Sequence, residues 1–306
     1  MQRSRAGYTL VEVMVFLAVS SVLLAMSIVV VRGQEGHTEF TSSMNDVNSK
    51  IQHLVDGVVN GLSGSTASAT ASDYNCKVEP SSGYAYLDLV GPGQGSARGA
   101  NPECISLGLV IQVNDDRASP QYSNQITTYT VIGRRTYQTD AGTTDIVDNL
   151  VSAKPVAAVF PPPVGIDLTQ TYKIPNGARI LSVSSTNSGG VVSNSHMAGF
   201  FNSFNSEANS FVGGGSNLVR NGNLSLLTVQ YPLADTSPGL GDATKCIKLD
   251  PTTNCVPPIG QSNLWPMNTW QICFGSTRND DKARLTFSST NGLGASTKLE
   301  FVASCP

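Results

Sequence analysis

Glu12 is the residue whose position most needs a chemical explanation. It stands within RAGYTLVEVMVFLAVSSVLLAMSIVVV, residues 5–31, a run otherwise apolar enough to cross a bilayer. A carboxylate at the centre of a bilayer helix costs on the order of 3 kcal/mol, so such a group is kept where something cationic meets it. The six cysteines, Cys76, Cys104, Cys246, Cys255, Cys273 and Cys305, are the other residues with chemistry to offer. None lies in a Cys-x-x-Cys pair and no histidine stands at ligand spacing, which argues against zinc. An even number, all beyond the apolar run, suits an exported domain with up to three disulfides. Six cysteines allow fifteen pairings, and the sequence does not choose among them. Closeness along the chain favours Cys246 with Cys255 and Cys76 with Cys104, leaving Cys273 for Cys305. Buried free thiols are the alternative.

Catalytic patterns are missing. The three histidines are His37, His53 and His196, and none is near a nucleophile motif. There is no Gly-x-Ser-x-Gly elbow, no His-Glu-x-x-His and no phosphate-binding loop. Gly91-Pro92-Gly93-Gln94-Gly95 lacks the lysine and the strand–helix context, so it reads as a turn. Asn114-Asp115-Asp116 and Asn279-Asp280-Asp281 carry oxygen ligands of the kind Ca²⁺ takes, but without the alternating spacing of a calcium loop. They too read as turns. The expectation is a protein that is not an enzyme, with no metal and no cofactor.

Charge excludes another class. Charged residues are 13% of the chain, against about 25% in an average soluble protein. Lys plus Arg is 19 and Asp plus Glu is 22, for a net charge of −3. Arg134-Arg135 is the only adjacent basic pair, so no footprint for phosphate is visible and no nucleic-acid partner is expected.

The element that must hold Glu12 is one long helix. Val13 to Val31 is uncharged and covers roughly 28 Å as a helix, enough for a bilayer core. Arg3 and Arg5 precede it and keep the N-terminus cytoplasmic. The helical pattern then continues: Phe40, Met44, Val47, Ile51, Leu54, Val58 and Leu62 form a stripe on one face. Glu35, Glu39, Asp46, Lys50 and Asp56 lie off the stripe, and His53 falls on the polar face. Gly33 and Gly36 weaken the helix at the membrane exit by up to about 1 kcal/mol each, so a bend or loosened turn is expected there. The predicted helix runs from Tyr8 to Leu62. Its stripe packs on the protein's own sheet, while a different arc remains for neighbouring subunits.

Beyond the small-residue stretch 63–70 the pattern becomes β-rich. Strands are expected at Tyr84–Val90, Ile105–Val113, Ile126–Ile132, Arg179–Ser184, Ser225–Tyr231, Trp270–Gly275, Arg284–Ser289 and Lys298–Ala303. Ile105–Val113 is almost continuously aliphatic, as in a strand buried on both faces. Asn291-Gly292 signals a hairpin joining the last two strands. Phe160-Pro161-Pro162-Pro163 is stiff and extended, either a seam between two β-rich lobes or a loop within one. Residues 186–223 read as long surface loops, with Met197, Phe200, Phe201, Phe204 and Phe211 supplying some core. Trp265 and Trp270 are expected to pack in the core rather than stack on a sugar.

Gly7-Tyr8-Thr9-Leu10-Val11-Glu12, at the edge of the apolar run and behind a short basic leader, resembles the processing motif of type IV prepilins and type II secretion pseudopilins. Tyr8 replaces the usual phenylalanine but keeps an aromatic ring. The resemblance covers residues 1–62. It implies that a prepilin peptidase cuts between Gly7 and Tyr8 and methylates Tyr8, which makes Glu12 the fifth residue of the mature chain. The new α-amine of Tyr8 on one subunit and Glu12 on its neighbour then neutralise each other, which sets the axial register of assembly.

The expected architecture is α+β: a long N-terminal helix packed on a large β-rich, disulfide-bonded head of one or two lobes. Its parts are a cleaved leader at 1–7, a transmembrane and polymerisation helix at 8–31, an amphipathic half at 32–63, and head segments at 64–160 and 161–306. The implied function is a type IV pilus subunit serving adhesion or twitching motility, and the oversized head implies a minor pilin. The alternative is a pseudopilin of a type II secretion or DNA-uptake machine. The largest tip pseudopilins typically lack the fifth-position glutamate, which counts against that role. A membrane-anchored enzyme or receptor that never polymerises is a third reading. The implied partners are other pilin subunits, the prepilin peptidase and the membrane before assembly. The implied path runs from the inner membrane, as a single-pass protein, to an extracellular pilus.

Overall fold

The fold begins with a helix whose two halves have different solvents. The computed structural model describes residues 9–59, 74–89, 103–114, 123–139, 141–147, 150–158, 169–187, 190, 192–202, 224–229, 247, 264–289 and 295–305. Helix α1 spans Leu10–Val59 and runs through Gly33 and Gly36 without interruption. The bend or loosened turn expected at those glycines is therefore not a break in the helix. Two glycines cost about 2 kcal/mol of propensity, which the packing of the following turns outweighs. From Phe40 onward the stripe is buried: Phe40, Met44, Val47, Ile51, Val55 and Val58 are each at most 4% exposed. Leu54 is half-buried against the same core, and Leu62 lies outside the described residues.

After α1 come β1 (Tyr74–Val78), β2 (Ala85–Leu89), β3 (Cys104–Val113), β4 (Gln125–Arg134), β5 (Thr136–Gln138) and β6 (Thr144–Ile146). A single turn, α2 (Leu150–Ala153), and β7 (Val156–Ala157) follow. The second half holds β8 (Thr169–Lys173), β9 (Ala178–Asn187), β10 (Val192–Ser193), β11 (Met197–Asn202), β12 (Leu224–Val229), β13 (Leu264–Ser276), β14 (Lys282–Ser289) and β15 (Ala295–Val302). Each of the eight strands read from the sequence is present, with ends shifted by a few residues.

The main sheet has 11 strands, ordered β10-β9-β13-β12-β11-β3-β4-β7, with β8 also on β4 and β14 and β15 continuing from β13. Strands from both sides of residues 160–163 thus share one hydrogen-bonded sheet. Strand β13 is the corner. Its Leu264–Pro266 segment pairs with β12, and its remainder pairs with β9 and β14. The register shifts between Met267 and Thr269, next to Pro266, which has no N–H to give to a ladder. The α1 stripe meets residues from both arms of this sheet, including Ile111, Ile126, Phe200, Trp270, Phe274 and Phe287. Trp270 is fully buried, and its indole N–H donates to the Ser195 carbonyl at 2.9 Å.

Strand β3 is covered on both faces, as its aliphatic run predicts. Leu109, Ile111 and Val113 face α1, whereas Ile105, Leu107 and Val110 enter a second core with Tyr129, Val131, Phe201 and Ile247. A bulge between Ser106 and Gly108 reverses the alternation. Gly108 is required there: a Cβ would stand 2.0 Å from the Phe200 carbonyl oxygen. Residues 197–202 were expected to lend core side chains from loops. They form β11 instead, between β3 and β12, with Phe200 facing α1 and Phe201 facing the second core. Phe204 and Phe211 lie outside the described residues. Hairpin β1–β2 packs on a third, smaller core and is stapled to β3 by the Cys76–Cys104 disulfide. The β14–β15 hairpin closes the chain, and Cys273–Cys305 ties the C-terminal segment to β13. Cys246 and Cys255 lie outside the described residues.

Candidate functional site

Thr9 caps α1. Its side-chain oxygen accepts the Glu12 N–H at 3.3 Å, and its carbonyl accepts from Glu12 and Val13 at 3.1 and 3.2 Å. Thr9-Leu10-Val11-Glu12 therefore has capping-box spacing, with a carboxylate in the first turn where it also suits the helix dipole. Among the described residues no side chain pairs with the Glu12 carboxylate. Gly7 and Tyr8, the expected cleavage and methylation positions, lie outside the described residues.

From Leu10 to Ser27 the helix is not buried by any other described part of the chain. Leu10–Ser27 has a mean hydropathy of 2.2, and none of it is buried. Leu10 and Phe16 are 72% and 71% exposed. The Ser27 hydroxyl is satisfied within the helix, donating to the Leu23 carbonyl at 2.8 Å, and Ser21 donates to Leu17 in the same way. Glu12 is left as the one formal charge on an otherwise self-satisfied apolar rod. Such a surface must be covered by lipid or by other helices.

Where α1 leaves this stretch, the head grips it through polar contacts. Arg278 pairs with Glu39, and His37 Nδ1 lies 2.8 Å from an Asp281 carboxylate oxygen. Both partners come from the β13–β14 turn, which Asn279 braces by donating to Asp281 at 2.7 Å. Asn279-Asp280-Asp281 is thus a turn engaged with the helix. Among the described residues no group of three or more His, Cys, Asp or Glu is placed to hold a metal ion. Further along, the Ser43 hydroxyl donates to the Pro175 carbonyl at 2.7 Å and Gln52 donates to Thr297 at 2.9 Å. The Tyr172 hydroxyl donates to Asp46 at 2.5 Å, and burial followed by that bond pushes its phenol well above the usual range. Glu39 and Asp46 lie off the apolar stripe, within reach of water, as the sequence pattern predicts. The structure gives both a partner on the head, more than a hundred residues away in the chain, and no local signal marks such pairings.

The head is thus clasped to a helix whose Leu10–Ser27 stretch lies bare. Residues 2–28 match the family model of the prokaryotic N-terminal methylation motif, the prepilin signal of type IV pilins and pseudopilins. Over this segment the chain is similar to type IV pilins and pseudopilins, whose members are in general processed by prepilin peptidase and associate with other pilin subunits. The motif also fits membrane anchoring before assembly. No curated protein and no solved structure matches the chain.

Proposed function

We propose that this chain is a minor pilin: a filament subunit that carries its large β-rich head to the cell surface for adhesion or twitching motility. In this reading the leader 1–7 is removed between Gly7 and Tyr8, and Tyr8 is methylated. The segment 8–31 first holds the chain in the inner membrane and then packs among the same segments of other subunits. The amphipathic half at 32–63 belongs to the head, whose segments 64–160 and 161–306 act together through their shared sheet. The role is structural, and no catalytic step is assigned.

The observation that carries this reading is the conjunction of a bare apolar stretch, Leu10–Ser27, with a carboxylate in its first turn, Glu12, that has no partner among the described residues. Lipid alone covers the apolar surface but gives Glu12 no partner. A neighbour's Tyr8 α-amine does, and a broken buried pair costs several kcal/mol, enough to reject a subunit in the wrong register. The test is mass spectrometry of the N-terminal peptide from sheared surface filaments. A chain beginning at methylated Tyr8 is expected. An intact Met1 chain confined to the membrane would overturn the reading. A processed chain absent from surface filaments would assign it to a secretion or DNA-uptake pseudopilus.

A further inference from the structure

Three separate segments bring two cations to one point. Arg134 ends β4, Lys154 follows α2, and the β1–β2 turn carries Ser82 and Gly83. A Cβ on Gly83 would stand 2.9 Å from Arg134 Nη1 and 3.2 Å from Lys154 Nζ, so both cations bracket the place where a side chain would be. Each is fixed by its surroundings. Arg134 Nε donates to the Ser152 carbonyl at 2.6 Å, and its guanidinium lies over the Tyr137 ring at 5.3 Å. Lys154 Nζ donates to the Ser82 carbonyl at 2.5 Å and stands 5.3 Å from the centre of the Tyr84 ring. Among the described residues Lys154 is one of two non-glycine residues with positive φ, at 47°, and Gly83 opposite it has a φ of 71°. Held strain of this kind persists only where surrounding structure over-determines it. Here the Cys76–Cys104 staple and the small core beneath the β1–β2 hairpin do so.

Among the described residues neither cation has an acidic partner. The carboxylate on the turn itself, Glu79, accepts the Ser82 hydroxyl at 2.5 Å. Glu103 accepts the Val78 N–H at 3.0 Å. Two like charges are thus held side by side by carbonyls and ring faces. Burial pulls the Arg134 guanidinium below its usual range. Both groups remain half-exposed and so are open to a ligand.

The geometry points to an oxyanion-binding site formed by Arg134 and Lys154 at the Gly83 turn, taking a carboxylate group. An arginine fork and an ammonium beside it match one carboxylate, the arginine by paired N–H bonds and the lysine as a point charge. A two-cation site is too small to follow a nucleic-acid backbone, which needs a track of positive charge. This site is independent of how the N-terminal helix is used, so its test does not depend on filament assembly.

The experiment is binding by the full-length protein in a nonionic detergent, using oligogalacturonate, the matching neutral oligogalactose, acetate and inorganic phosphate as probes. Oligogalacturonate is expected to bind and to be displaced by about 0.5 M salt. Arg134→Gln and Lys154→Gln should each weaken it at least about fivefold, and the double variant should abolish it. Each variant gives up the carbonyl and ring contacts of its cation, so a small drop in melting temperature is expected with the cooperative transition kept. Binding that is unchanged in the double variant would overturn the site. Binding of phosphate in place of both acetate and oligogalacturonate would overturn the carboxylate as its ligand.

Discussion

At the scale of single residues, the proposed pairing makes Glu12 the residue that separates an assembly element from a plain anchor. Glu12→Gln and Glu12→Ala remove a membrane charge, so both are expected to insert normally. Both should enter sheared filaments at least about tenfold less than the parent, measured by quantitative immunoblotting of the filament and membrane fractions. Normal incorporation of either would end the pairing account. Tyr172 offers a test in pH. Its folded-state pKa is raised above the unfolded phenol's value of about 10, so its contribution is complete below that pH and is lost as pH rises through the alkaline range. Tyr172→Phe should cost about 1 kcal/mol at neutral pH, a figure kept low because the bond to Asp46 is partly exposed. The gap in melting temperature between the two proteins should narrow above about pH 10. Gly108→Ala probes the bulge. With backbone 2.0 Å from the new carbon, β3 and β11 must separate, and a loss of several kcal/mol in denaturant unfolding is expected.

At the scale of elements, the C-terminal hairpin depends on its staple. Strand β15 pairs only with β14 among the described residues, and Cys273–Cys305 closes it onto β13 across a sequence separation of 32. Cys273→Ser with Cys305→Ser should cost about 3–4 kcal/mol by the loop-entropy relation. Reduction of the parent should match that loss, apart from what the Cys76–Cys104 bond adds. The β13–β14 turn is a different kind of device. Through Arg278 with Glu39 and His37 with Asp281, it fixes the head to α1 just beyond the bare segment. These are partly exposed pairs, each worth about 1 kcal/mol or less, so their role is orientation more than stability.

At the scale of the whole molecule, α1 belongs to two structures at once. Leu10–Ser27 contributes nothing to the head's core, whereas six side chains from Phe40 to Val58 lie inside it. Those six burials represent about 9–18 kcal/mol, as much as the net stability of a typical domain. A chain starting near residue 34 is therefore expected to fold and melt cooperatively in water without detergent. A chain starting at residue 60 is expected to fail, because its sheet would face solvent where α1 lay. Circular dichroism and a melting scan of the two truncations would check this. Equal folding of both would show that the helix is dispensable to the head.

What the sequence determined by itself was whatever is written in local pattern. The apolar run, the Glu12 anomaly, the stripe from Phe40 to Val58 and the alternating segments of eight strands all follow from neighbours in the chain, because helix and strand periods are local. Only the tertiary structure decided how those pieces meet. The seven strands not foreseen are mostly short, and β11 lay hidden in a stretch whose Asn, Ser and Gly content reads as loop; pairing with β3 and β12 overrides that preference. The clasp between α1 and the 277–281 turn, the corner in β13, and the meeting of Arg134 with Lys154 over Gly83 join residues tens to hundreds of positions apart. Such contacts are set by the packing of strands around one helix, and a physical meeting of that kind leaves no periodic mark in the chain.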